Sequence, residues 1–144
     1  MKKKKSVRGF TLFELLVSIS IIGILVALAT VSYSGAQRKA RDARRTQDMK
    51  AIQMAAEQYY SLSGGSYPTS YSTGDTWTMD ELVILPSFPT DPKNDATYNY
   101  SDHCTGNLNA YCCCAEIENS SSGNSNDSCG FGTATTHFCV QNQQ

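Results

Sequence analysis

From Phe10 to Val31 the chain runs for 22 residues with a single charge, Glu14. As a helix rising about 1.5 Å per residue, that run reaches ~33 Å, against a bilayer hydrocarbon core of about 30 Å. It is long enough to cross a membrane. Lys2, Lys3, Lys4, Lys5 and Arg8 precede it, so the positive-inside bias keeps the start in the cytoplasm and places the remainder outside. A second basic cluster (Arg38, Lys39, Arg41, Arg44 and Arg45, with Asp42 among them) weakens that bias without reversing it, because the first flank usually dominates. The competing reading is a secretory signal cleaved at Ala27-Leu28-Ala29. Against it, the stretch before that site is long, and an acid inside it carries an insertion cost from which an export tag gains nothing.

The formal net charge of -1 conceals a polarity along the chain. Ten of the twelve basic residues lie at or before Arg45, whereas from Ala51 onward Lys93 stands alone against ten acids. The acidic back part argues against nucleic-acid binding. All six cysteines lie between Cys104 and Cys139, which points to an exported, oxidising compartment. A length of 144 residues allows one domain plus an anchor.

Gly9-Phe10-Thr11-Leu12-Phe13-Glu14-Leu15-Leu16-Val17, after its lysine-rich leader, resembles the processing motif of type IV pilins and of the pseudopilins of type II secretion and competence systems. The resemblance covers roughly the first 31 residues; Phe13 stands where the family usually has an aliphatic residue. It implies that a prepilin peptidase in the membrane cuts between Gly9 and Phe10 and that the new amine of Phe10 is methylated. It implies too that Glu14 meets the N-terminal amine of an adjoining subunit, because a carboxylate among lipid tails or packed helices is costly without an opposite charge. Glu14 would then set the register while apolar packing supplies cohesion; the plainer alternative is that it snorkels to the interface. Gly9 and Phe10 are groups acted upon, so no enzyme is implied.

The function implied is a structural subunit of a type IV pilus or related filament. Alternatives are a pseudopilin of a type II secretion or competence system, or a single-pass anchored extracellular binding domain that does not polymerise. Stapling near the C-terminus is more typical of pilins. The implied partners are the peptidase, copies of itself and other pilins, and the assembly machinery, with no nucleic acid. The precursor would sit in the cytoplasmic (inner) membrane and the mature form in an extracellular or periplasmic filament.

Along the chain we expect a leader over 1–9, a transmembrane and assembly half-helix over 10–31, an amphipathic half over 32–62 and a head over 63–144. Met49, Ile52, Ala56 and Tyr59, with Ala55 and Tyr60 beside them, form one apolar stripe; Arg41, Arg45, Asp48 and Glu57 occupy other faces. Ser63-Gly64-Gly65 should end the helix, and the basic run 38–45 reads as a solvated face. In the head, Tyr67-Pro68, Pro86, Pro89 and Pro92 punctuate the chain, and Leu82–Leu85 could be a helical turn or a strand. Tyr98-Asn99-Tyr100 alternates. Tyr111 to Glu118 alternates better, with Tyr111, Cys113, Ala115 and Ile117 on one face and Cys112, Cys114, Glu116 and Glu118 on the other. The expected fold is α+β and pilin-like, a long N-terminal helix packed on a small antiparallel sheet of three or four strands.

Six cysteines, Cys104, Cys112, Cys113, Cys114, Cys129 and Cys139, allow fifteen complete pairings, among which sequence cannot choose. Because Cys113 faces away from Cys112 and Cys114, bridges between neighbours are disfavoured. The preferred picture ties Cys112 and Cys114 to two of Cys104, Cys129 and Cys139, stapling the loop Asn119 to Ser128 and the tail to the sheet, at about 2–4 kcal/mol per bridge. The competing zinc site would use His103, Cys104, Cys112, Cys114, His137 and Cys139, without any regular finger spacing. Asp91, Asn94 and Asp95 supply oxygens in one turn, and some pseudopilins of type II secretion hold calcium in their heads; the turn lacks an EF-hand pattern and reads as a Pro/Asp turn. No metal or cofactor is expected. There is no nucleophile elbow or phosphate loop, and neither His103 nor His137 has an obvious catalytic companion.

Overall fold

The computed structural model describes residues 9–132 and 135–144; the basic leader up to Arg8 lies outside the described residues. The elements are helix α1 (Leu12–Leu62), β1 (Trp77–Met79), β2 (Leu82–Leu85), a 3₁₀ turn (Ser101–His103), β3 (Cys104–Gly106), β4 (Tyr111–Glu116) and β5 (His137–Gln141). The fold is α+β, a long N-terminal helix with small antiparallel sheets. The chain separates into two compact units between Gln37 and Arg38.

In the first unit, every described residue from Gly9 to Gln37 is exposed, including Leu12, Phe13, Leu15, Ile22, Ile24 and Leu28. Mean hydropathy reaches 2.6 over an 18-residue window, so α1 is long and apolar enough to cross a membrane.

In the second unit, Met49, Ile52, Ala55 and Ala56 are buried along one side of α1. They join Tyr67, Tyr71, Trp77, Phe88, Tyr100, Tyr111, Cys113, Ala115 and Val140 in one core, with Tyr59 and Tyr60 packed against its edge. The core is aromatic: the Tyr71 ring lies 5.3 Å from Trp77 and 6.0 Å from Tyr111, centroid to centroid. The helix stops where glycines make stopping cheap. Ser63 N–H bonds to Tyr59 C=O at 2.8 Å and Gly65 N–H reaches back to Tyr60 C=O at 3.0 Å. Gly64 and Gly65 adopt φ of 77° and 102°, a left-handed exit that a side chain would oppose.

The head holds two sheets rather than one of three or four strands. β1 and β2 form a hairpin, and β3, β4 and β5 form an antiparallel sheet in that order. Leu82–Leu85 is thus a strand, entered through Asp80 at φ 53°. The alternation at Tyr98-Asn99-Tyr100 does not make a strand. Its backbone is claimed locally instead: Asp95 Oδ1 accepts from the N–H groups of Thr97 and Tyr98, and Asn99 Oδ1 accepts from Ser101 N–H. Such side-chain capture competes with a sheet ladder.

The basic run 38–45 is not simply a solvated face. Arg45 is fully buried and its guanidinium meets three carboxylates. Nε and Nη2 donate to Asp91 Oδ2 and Oδ1 at 2.6 and 3.0 Å, and Nη1 donates to Asp42 Oδ1 at 2.9 Å and Glu118 Oε1 at 3.0 Å. The Tyr98 ring covers it at 4.3 Å. Arg41 forks onto Glu118 at 2.6 and 2.7 Å, and Asp42 accepts the backbone N–H groups of Glu118 and Asn119, both at 3.0 Å. Fork geometry of this kind suits arginine and not lysine.

One pH prediction follows. The paired hydrogen bonds from Arg41, aided by Arg45, hold the Glu118 carboxyl down to about 2 from an ordinary value of 4.5. A depressed carboxylate contributes stability that is complete above its unfolded value and is lost as pH falls through the folded one. The head should therefore lose thermal stability between about pH 4.5 and pH 2. Melts of a Glu118→Gln variant, followed by far-UV circular dichroism, should start lower at neutral pH and fall less across that window; an unchanged pH slope would remove Glu118 from the account.

Candidate functional site

The motif residues lie at the start of the first unit. Gly9, Phe10 and Thr11 precede the first turn of α1, and Phe10 is 84% exposed. The Gly9–Phe10 peptide bond is therefore in irregular, exposed chain.

Glu14 is engaged within its own chain. Its Oε2 accepts from Thr11 N–H at 2.9 Å and Thr11 Oγ1–H at 2.8 Å, while Thr11 Oγ1 accepts Glu14 N–H at 3.2 Å. This is a reciprocal capping box, which satisfies donors that every helix N-terminus leaves open. The Thr11-x-x-Glu14 spacing before an apolar run carries that signal, and sequence reasoning passed over it while weighing the acid as a charge. Glu14 thus has hydrogen-bond partners within its own chain. Around it, exposed Leu12, Phe13, Leu15, Leu16 and Val17 form a continuous apolar surface of the kind that marks lipid or helix contact.

In the head the sulfurs pair as Cys104–Cys113, Cys112–Cys129 and Cys114–Cys139. Two of these bridges join strand partners directly opposite one another, Cys104 with Cys113 across β3–β4 and Cys114 with Cys139 across β4–β5. The third reaches from β4 to the Ser/Asn/Gly-rich loop. The carboxylates of Asp91 and Asp95 are drawn into other work. Both oxygens of Asp91 face Arg45, and Oδ1 also accepts the N–H groups of Lys93 and Asn94; Asp95 Oδ1 caps the turn at Thr97 and Tyr98.

A protein family described as "Prokaryotic N-terminal methylation motif" matches residues 4–30. The chain carries a prepilin-type N-terminus. The chain is similar to type II secretion system core protein G of Escherichia coli (strain K12), 34% identical over 99 residues, covering 69% of this chain and 62% of that protein. The protein of the same name in Vibrio cholerae serotype O1 is 32% identical over 94 residues, covering 65% and 60%. A fimbrial protein of Pseudomonas aeruginosa is 35% identical over 72 residues, covering 50% and 46%. The chain thus spans about half to three fifths of the length of these relatives. No solved structure matches it.

Proposed function

We infer that this chain is a structural, non-enzymatic filament subunit, made as a prepilin and assembled through α1 into a type IV pilus or related fibre. The observation that carries the reading is a prepilin-type motif opening the exposed apolar stretch of α1, whose lone acid up to Val31, Glu14, sits four residues past Phe10. Cleavage after Gly9 would free a cationic amine at Phe10. On a neighbouring subunit that amine offers Glu14 a charged partner in place of its capping bond to Thr11, in surroundings where an unpaired carboxylate is costly. Stacking of this kind is head-to-tail and open, which gives a fibre and not a ring. The precursor would lie in the cytoplasmic membrane with its leader inside, the partners being a prepilin peptidase, further copies and the assembly machinery.

A second reading has specific support. Relatives covering 65% and 69% of this chain are type II secretion system core proteins, which supports a secretion filament inside the envelope as the alternative to a surface pilus. Fractionation separates the two, since a pilus subunit is sheared from the cell surface and a secretion subunit stays with the envelope.

The shared reading is tested by mass spectrometry of the native mature chain. The expected N-terminus is methylated Phe10. A chain that begins at Met1 or at Thr30 overturns it.

A further inference from the structure

We propose that His103, Glu116 and His137 form a binding site for a late divalent transition metal, zinc foremost. One ligand atom from each lies within 4.8 Å of the others, and the two imidazole centroids are 5.4 Å apart. Glu116 and His137 are register partners across β4–β5 and so project from the same face. His103 closes the 3₁₀ turn that enters β3.

The second observation is on His137 itself. The residue is 8% exposed, its Nδ1 meets Thr136 Oγ1 at 3.0 Å, and its Nε2 is buried without a hydrogen-bond partner among the described residues. Buried polar atoms are nearly always satisfied, and an unpaired one calls for an explanation. With Nδ1–H donating to the Thr136 hydroxyl, Nε2 presents a lone pair. Metal-bound histidines are oriented in this way by a partner on the other ring nitrogen.

The site is also stiff. His103 adjoins Cys104, and Glu116 and His137 stand two residues from Cys114 and Cys139, so a disulfide pins each backbone close to its ligand. His137 is further fixed by its bridge to Ser125.

Two imidazoles and one carboxylate suit zinc and its neighbours, whereas calcium takes six to eight oxygens. Three protein ligands leave a fourth tetrahedral position for water or for a group from another molecule. The donor set differs from a cysteine-based zinc site, because Cys104, Cys112, Cys114 and Cys139 are consumed in disulfides. This inference does not depend on filament assembly.

The test uses the full chain in detergent micelles, never reduced and stripped of metal by a chelator. Titration with zinc chloride should show one saturable site per chain and a rise in Tm, because a ligand that binds only the folded state stabilises it. Calcium chloride at the same concentration should leave Tm unchanged. Thr136→Val should weaken zinc binding by about 10–100-fold, Thr136→Ser should restore it, and His103→Ala or Glu116→Gln should lose more than Thr136→Val. Zinc-edge X-ray absorption of the unsubstituted chain should count two imidazoles and no sulfur, a readout independent of whether any variant folds. Absence of saturable binding, a sulfur-bearing shell, binding that appears only after reduction, or equal affinity in Glu116→Gln overturns the proposal.

Discussion

Replacing Arg45 by methionine should destabilise the head by ~3–5 kcal/mol, the cost of breaking a buried ion pair by removing one partner. For a unit of this size that lowers Tm by about 12 °C or more. The cause is less the attraction lost than the charge left behind. Asp91 is 4% exposed and Asp42 7%, and both carboxylates, with Glu118, turn toward the space the guanidinium fills. Arg45→Lys should recover only part of the loss, since one ammonium cannot fork onto Asp91 while also serving Asp42 and Glu118. Arg45→Met combined with Asp91→Leu should recover more than Arg45→Lys does, because it removes the most buried of the three carboxylates, while Glu118 keeps Arg41 and Asp42 keeps the N–H groups of Glu118 and Asn119. Trp77, the single tryptophan, sits in the aromatic core and reports unfolding by fluorescence. Melting of Arg45→Met within a degree or two of the parent chain would show that the ionic centre is not structural.

Glu14→Ala should reduce recoverable fibre on the order of 100-fold while leaving insertion and cleavage intact. An intersubunit pair made in an apolar array and then broken costs ~3 kcal/mol or more per contact, and each 1.4 kcal/mol is about a factor of ten in association. Because Glu14 also caps α1, two companions separate charge from capping. Glu14→Gln keeps an oxygen that can accept from Thr11 and loses the charge, so it should fail as Glu14→Ala does. Thr11→Ala keeps the charge and loses half of the box, a loss of about 1 kcal/mol to the helix, and should still assemble. Normal fibre from Glu14→Gln would reduce the acid to a helix cap.

What sequence could carry here was local or periodic. An uninterrupted apolar run, a basic start, a motif at fixed spacing, the stripe Met49, Ile52 and Ala56, and the Ser63-Gly64-Gly65 stop are all written within a few residues of where they act. Arg45 is different. Its partners Asp91 and Glu118 stand 46 and 73 residues away, so a window centred on Arg45 holds only Asp42 of its three carboxylates, amid a run of cations, and reads solvent. The same limit hid Glu116 beside His137, which meet only through the register of β4 and β5. Tyr98-Asn99-Tyr100 failed for another reason. Strand-like spacing was present, but Asp95 and Asn99 offered the backbone closer partners than a neighbouring strand could. The capping box at Thr11 and Glu14 was fully legible and was missed because an acid in a greasy segment draws attention as a charge first.

The pairing of the sulfurs governs how the head meets a protease. Ser120, Ser121, Ser122, Asp127 and Ser128 are exposed and easily cut, yet they lie inside the rings closed by Cys112–Cys129 and Cys114–Cys139. A nick there opens one peptide bond and releases nothing. The cut molecule would run as a single species on a non-reducing gel and fall into two fragments only when thiol is added, so damage in this exposed loop need not shed β5 from the head.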